Sequence, residues 1–145
     1  MMRRTVQRVW LVALLLSSAV LAQNKDPEAA RIVTEDIVRF WEAFDRAAPE
    51  FPAEPFEKLY LSRGTPGLED FVKLRISGAK ELAETVRNAP RYYASIREST
   101  LRIADMEPAI RASFRALKDL YPEAVFPDVY FVIGRLTSGG TTSDR

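Results

Sequence analysis

Carboxylates are the main side chains available for chemistry, because the chain contains no histidine and no cysteine. The lack of histidine removes the commonest general base, the usual zinc ligand and the familiar nucleophile pairs. The lack of cysteine excludes disulfides, thiolate chemistry and an acylated lipoprotein. Asp36, Glu42 and Asp45 lie on one predicted helix and could act as acid and base. A solvated helix face explains these acids as well, and we prefer that interpretation.

A glycine- and threonine-rich run, 139–142, is the second candidate. Glycines allow backbone N–H groups to converge on a phosphate, but this run lacks the Gly-Lys-Ser/Thr ending and the helix that must follow it. We therefore reject a phosphate-binding loop and predict a loop or bulge after an edge strand at Gly139 and Gly140.

Six aromatic residues could be taken for a sugar-binding set: Trp41, Phe44, Tyr92, Tyr93, Phe114 and Tyr121. Their helical spacing predicts core positions instead. Arg97 lies beside Tyr92 and Tyr93 on the predicted third helix. A structural salt bridge is predicted for it, with neighbours of Glu98 or with the turn at Asp105.

The first 22 residues have the pattern of a secretory signal peptide. Arg3, Arg4 and Arg8 form a positive n-region, an apolar run follows from residue 9, and small residues lead up to Ala22. A transmembrane anchor is the alternative, but it needs about 20 apolar residues and residues 9–22 are 14. The pattern favours a cleaved signal and a periplasmic or secreted product without a lasting membrane anchor.

Charge excludes one class of partner. Removing three arginines with the signal changes the formal net charge from +1 to −2 and leaves 123 residues, enough for one domain. A near-neutral surface of mixed sign is not the electrostatic footprint of a nucleic-acid-binding protein.

The rest of the chain divides into a polar lead-in segment (23–33), a helical region (34–121) and a strand with a Gly/Thr-rich loop (122–145). About four amphipathic helices are predicted. Thr34 is the N-cap of the first, a break is expected at Gly78, Pro90 opens the third, and the fourth runs from Pro108 to Tyr121. The fourth is expected to bury a stripe, made of Ile110, Phe114, Leu117 and Tyr121.

Residues 129–133, with the sequence VYFVI, predict a strand buried on both faces. The helices before it offer no strand to pair with, and loop residues follow it directly. We therefore expect a mainly α chain with a C-terminal β-strand, an α+β arrangement that is the truncated N-terminal part of a larger domain.

Several segments together resemble the N-terminal part of a family of predicted zinc-dependent proteases of bacterial envelopes. The segments with this resemblance are 32–37, 40–41, 60–61, 64–71, 92–97, 121–127 and 130–141. The resemblance implies a zincin-like fold, in which a helix with H-E-x-x-H supplies two zinc ligands and a glutamate that activates water. That motif is expected downstream of the strand, and this sequence ends at Arg145 without it.

Two functions follow as hypotheses. The first is an exported N-terminal fragment of a metallopeptidase-like protein, inert as given, with zinc and a peptide or protein substrate implied only for the full-length relative. In that relative Gly139, Gly140 and Thr141 would border a substrate groove along an edge strand. The second is a complete small periplasmic helical domain that binds a partner and has no enzymatic activity.

Overall fold

The fold is known from a computed structural model that describes residues 24–143. The predicted signal peptide, 1–22, lies outside these residues. Within them the chain is mainly helical, as predicted. The α-helices are α1 (Glu35–Ala47), α2 (Ala53–Pro55), α3 (Pro66–Phe71), α4 (Ala79–Asn88), α5 (Pro90–Leu101) and α6 (Glu107–Leu120). None of the helices in the described part is long and apolar enough to cross a membrane.

Helix α1 forms the centre of the core. Glu35 and Asp36 occupy its first turn and Arg46 its last, which suits the helix dipole. Thr34 is the N-cap residue, as predicted, although its side chain makes no capping hydrogen bond. The buried face of α1 includes Phe40, whose ring contacts five other aromatic rings, those of Trp41, Phe44, Phe56, Tyr60 and Tyr93. Burial of each such side chain contributes about 1.5–3 kcal/mol.

The chain between α1 and α4 is built from short, tight or widened helical turns. A π-turn (Phe56–Tyr60) and a 3-10 turn (Leu61–Arg63) continue α2, and a second π-turn (Val72–Ile76) continues α3. The Thr65 hydroxyl caps α3 by accepting from the Leu68 N–H. The predicted break at Gly78 is confirmed, since α4 begins at Ala79.

Two short strands form a parallel pair. Strand β1 (Ile32–Val33) pairs with β2 (Val129–Tyr130). The prediction of an unpaired strand is therefore wrong: its partner lies in the segment that we took for a lead-in. The predicted strand is also shorter than expected, because after the bond from the Phe131 N–H to the Val33 carbonyl the next inward N–H, that of Ile133, bonds to the Tyr60 hydroxyl instead of to a strand.

Helix α6 departs most from expectation. None of its residues is buried, so the predicted buried stripe from Ile110 to Tyr121 is wrong. Of that stripe, Phe114 is half-buried against Phe126, whereas Leu117 and Tyr121 are exposed. Residues before β1 hold the opposite side of the helix, through bonds from Arg111 to the carbonyls of Pro27 and Ala30 and an ion pair of Arg115 with Glu28.

Candidate functional site

The three candidate carboxylates of α1, Asp36, Glu42 and Asp45, each have a different partner, and Asp36 has a structural role. Its side chain is buried, which corrects the prediction of a solvated face at this position. It accepts hydrogen bonds from the Thr65 N–H at 3.2 Å, from the Thr65 hydroxyl and from the Arg39 guanidinium at 2.7 Å. Asp36 thus ties the start of α1 to the N-cap of α3.

Glu42 and Asp45 are exposed and paired with cations. Glu42 accepts from Arg63 at 3.0 Å, and Asp45 accepts from Arg97 at 2.7 Å. The salt bridge predicted for Arg97 exists, but its predicted partners were wrong, because packing of α5 on α1 brings Asp45 closer. Hydrogen bonding from Arg97 holds the pKa of Asp45 below its ordinary value, and the guanidinium lies 5.1 Å from the centre of the Trp41 ring.

Replacing Asp45 by asparagine is expected to lower the free energy of unfolding by less than about 1 kcal/mol at pH 7, since exposed ion pairs contribute little. The pKa of Asp45 is lowered in the folded state, so its contribution is present above the unfolded pKa and is lost as pH falls through the folded pKa. Urea unfolding of the two proteins at pH 7 and near pH 2 checks this. A difference that persists unchanged at the lower pH would contradict the assignment.

Residues 129–133 form an extended segment. Its two hydrogen-bonding edges, or rims, differ in their partners. One rim is bonded within the domain: Val129 N–H to the Arg31 carbonyl (2.8 Å), Phe131 N–H to the Val33 carbonyl (2.9 Å) and Ile133 N–H to the Tyr60 hydroxyl (3.0 Å). Backbone groups of an extended chain alternate in direction, so those of Tyr130 and Val132 point to the other rim. Among residues 24–143 we find no hydrogen-bond partner for this second rim, which we call the free rim.

Two tyrosines fix the end of this segment. The buried Tyr60 hydroxyl also donates to the Ile133 carbonyl at 2.8 Å, and the Tyr93 hydroxyl donates to the Gly134 carbonyl at 2.7 Å. Burial raises the pKa of Tyr60, and burial raises the pKa of Tyr93 to about 12. Both hydroxyls therefore stay protonated at neutral pH and act as donors. From the sequence, both tyrosines are predicted to lie on the apolar faces of helical segments. Nothing in the sequence indicates that their hydroxyls bond to the backbone of residues 133 and 134.

The predicted substrate-binding residues lie beyond this segment. Gly139 and Gly140 are exposed, with open space where a side chain would begin. The Thr141 hydroxyl lies 3.5 Å from the Arg75 guanidinium. Substrate binding by these three residues remains a prediction.

An open cleft of about 420 Å³ lies between β1, the start of α3 and the start of α6. Glu35 lines this cleft together with Arg31, Arg111 and Glu107, and the last three are in ion pairs. Arg31 donates to Asp128 at 2.7 Å, and Arg111 donates to Glu107 at 3.1 Å. Hydrogen bonds from the backbone and side chain of Arg31 outweigh burial and lower the pKa of Asp128. The Arg31–Asp128 pair links the residues that precede β1 and β2, and the Arg111–Glu107 pair lies within α6.

The described residues do not fit a zinc site. No group of three or more His, Cys, Asp or Glu side chains within residues 24–143 is placed to hold a metal ion. Comparison of the chain with protein-family models, curated proteins and solved structures finds no match.

Proposed function

We propose that this chain is the non-catalytic N-terminal part of an exported metallopeptidase-like protein, and that it supplies an edge along which the rest of that protein, or its substrate, pairs. The free rim of residues 129–133 is the observation on which the proposal depends. A parallel pair of two-residue strands is too small to be stable alone, and sheets of three or more strands are the norm.

The free rim is preorganised for pairing with an added strand. Bonds to β1 and to Tyr60 fix one side of the segment, so little further entropy is lost when another strand adds to the opposite side. An added strand gains main-chain hydrogen bonds from Tyr130 and Val132, and its side chains give specificity. The resemblance to zincin-like proteases supports the same role, because such an edge borders their substrate groove.

The metal chemistry lies outside this chain in the proposal. A segment with H-E-x-x-H would supply zinc ligands and the glutamate that activates water, while this chain positions the edge. The substrate class is then a peptide or protein, and the compartment is the periplasm or the exterior, as the signal-peptide pattern predicts.

Reading the encoding DNA beyond the codon for Arg145 is the first test. An in-frame continuation, or one restored by correcting a single sequencing error, with H-E-x-x-H is the expected result. The longer product should bind about one zinc ion and cleave peptides. A genuine stop codon with no such segment downstream would contradict the proposal.

The free rim itself is tested in that longer product. Val132→Pro removes one rim N–H, and we expect at least a tenfold weaker peptide affinity with unchanged zinc content. Val132→Ala is the matched control, because it shortens the same side chain and keeps the N–H. Equal affinity in the two variants would exclude pairing at this rim.

A complete small interaction domain is the second candidate. The hydrogen bonding of its buried polar side chains favours this candidate. Within the described residues every buried side-chain nitrogen and oxygen has a hydrogen-bond partner. Such a domain unfolds cooperatively and stays soluble by itself. Thermal unfolding of residues 23–145 followed by circular dichroism should then show one sharp transition, and its absence would eliminate this candidate.

A further inference from the structure

We infer that α6 and the segments beside it form a second unit of the domain, which rotates relative to the rest and so sets the width of the cleft. This unit, the α6 unit, consists of residues 24–31 and 107–128. The main unit consists of residues 32–106 and 129–143. The free rim lies in the main unit, and the inference does not depend on the proposed function.

The apolar packing of the two units is separate. The large core around Phe40 is built from residues of the main unit, and the half-buried apolar residues packed against it belong to the main unit as well. A second, small cluster contains Ala30, Ala124 and Phe126, with Phe114 packed against it. All four of these residues belong to the α6 unit. Neither cluster of buried residues in 24–143 therefore spans the boundary, and rotation of one unit leaves both clusters intact.

Hydrogen bonds and ion pairs within the α6 unit join its three parts. They run from Arg111 to the carbonyls of Pro27 and Ala30, from Arg115 to Glu28, from Lys25 to Glu123, and from the Phe126 N–H to the Asn24 carbonyl. These contacts hold 24–31, α6 and 121–128 to one another rather than to the main unit. The α6 unit can therefore move as one body.

Polar contacts between the units are confined to one place. Apart from the helical turns where the chain passes from Met106 to Glu107, the bonds that we find across the boundary within residues 24–143 all involve Arg31 or Asp128. The Arg31 carbonyl accepts from the Val129 N–H at 2.8 Å, and the Arg31 guanidinium donates to the Tyr130 hydroxyl at 2.9 Å. That hydroxyl also lies 3.5 Å from the Asp128 carboxylate.

The three chain connections between the units define a hinge. Two of them lie side by side, because residues 31 and 128 precede the paired strands β1 and β2, and the Arg31 N–H donates to the Asp128 carboxylate at 2.7 Å. The third is the 3-10 turn Ile103–Met106 between α5 and α6. Such a turn between two α-helical stretches often marks a hinge. Domain closure generally occurs about a few residues at the ends of elements, as here.

The cleft lies on this boundary. Arg31, Glu107 and Arg111 line it from the α6 unit, whereas β1, the start of α3 and Tyr130 line it from the main unit. Because its walls belong to different units, rotation of the α6 unit changes its volume. The free rim keeps its place during this motion, since the Tyr60 and Tyr93 hydroxyls hold the end of the segment within the main unit. The α6 unit is thus a lid over the cleft.

Distances between spin labels test the rotation, in a chain that has no cysteine of its own. Labels at Val38→Cys and Ser113→Cys report on the two units, because Val38 is 61% exposed on α1 and Ser113 is exposed on α6. Double electron–electron resonance should give two distance populations for this pair. Val38→Cys with Glu84→Cys is the matched control within the main unit and should give one population. A single population no wider than that of the control would overturn the inference.

Tyr130→Phe tests the position of the hinge contacts, because it removes the hydroxyl that bonds to Arg31. In the protein labelled at residues 38 and 113, the ratio of the two populations should change by about twofold or more, the lower range for loss of one hydrogen bond. Tyr92→Phe is the control, since Tyr92 lies on α5 within the main unit and is 51% exposed. An unchanged ratio in Tyr130→Phe would contradict a hinge at Arg31 and Asp128.

Hydrogen exchange separates rotation of the α6 unit from unfolding of α6. The α6 amides should stay protected in the unlabelled chain, because rotation preserves the bonds within the unit. Phe126→Ala removes the largest side chain of the small cluster, so exchange in α6 should become about tenfold faster or more while exchange in α1 is unchanged. Unprotected α6 amides in the unaltered chain, or equal acceleration in α1, would overturn the inference.

Discussion

Replacing Tyr60 by phenylalanine is expected to lower the free energy of unfolding by about 3 kcal/mol. The hydroxyl accepts from the Ile133 N–H and donates to the Ile133 carbonyl, and all three groups are buried. A buried polar group left without a partner costs about 1–3 kcal/mol. The substitution leaves two such groups and keeps the ring, so the loss comes from hydrogen bonding alone.

Urea unfolding at pH 7 measures this loss, and hydrogen exchange at the Ile133 amide locates it. Tyr92→Phe is the matched control, because Tyr92 is 51% exposed and should change stability by no more than about 0.5 kcal/mol. A loss below about 1 kcal/mol for Tyr60→Phe, or an unchanged exchange rate at Ile133, would show that the hydroxyl does not anchor the segment.

Replacing Gly67 by alanine is expected to cost about 3 kcal/mol. A Cβ at Gly67 would lie 2.2 Å from Cγ and 2.4 Å from Cβ of Tyr130, so the ring or the helix must move. Overpacking of this kind costs about 1–3 kcal/mol and sometimes more. Without this contact, alanine would stabilise the helix by about 1 kcal/mol relative to glycine. A decrease in the free energy of unfolding, rather than an increase, therefore indicates the close contact between α3 and β2.

Thermal and urea unfolding compare Gly67→Ala with Gly139→Ala, where a Cβ meets open space. The control should be nearly neutral. In the background of Tyr130→Ala, Gly67→Ala should lose most of its cost, which a double-mutant cycle measures. If the cost is the same in both backgrounds, the close approach of α3 to β2 does not cause it.

Much of the fold follows from local pattern. The apolar spacing in 37–48 predicts one buried stripe on α1, made of Ile37, Val38, Phe40, Trp41, Phe44 and Ala48. The prediction is confirmed at Ile37, Phe40, Trp41 and Phe44 and is wrong at Val38 and Ala48, which are exposed. Pro90 at the start of α5 and the break at Gly78 are confirmed as well. Periodicity and the backbone limits of proline and glycine act within a few residues, so a single sequence is enough to reveal them.

The partner of each polar side chain could not be predicted in the same way. Arg97 pairs with Asp45, 52 residues away, and Asp36 bonds to Thr65, 29 residues away. Helix α6 has the apolar spacing of a core helix, yet it buries no residue within the described chain. Spacing shows that a face is apolar, but it does not show what covers the face.

Composition and local pattern are sufficient to predict that this protein is mainly helical, that it has no histidine or cysteine chemistry, and that an apolar extended segment follows the helices. The pairing of β2 with residues 32–33, the bonds from Tyr60 and Tyr93 to the segment, and the lack of a partner for one rim among residues 24–143 were visible only after folding. These contacts join residues about 40 to 100 positions apart. Such contacts depend on the packing of whole elements, which no local pattern encodes.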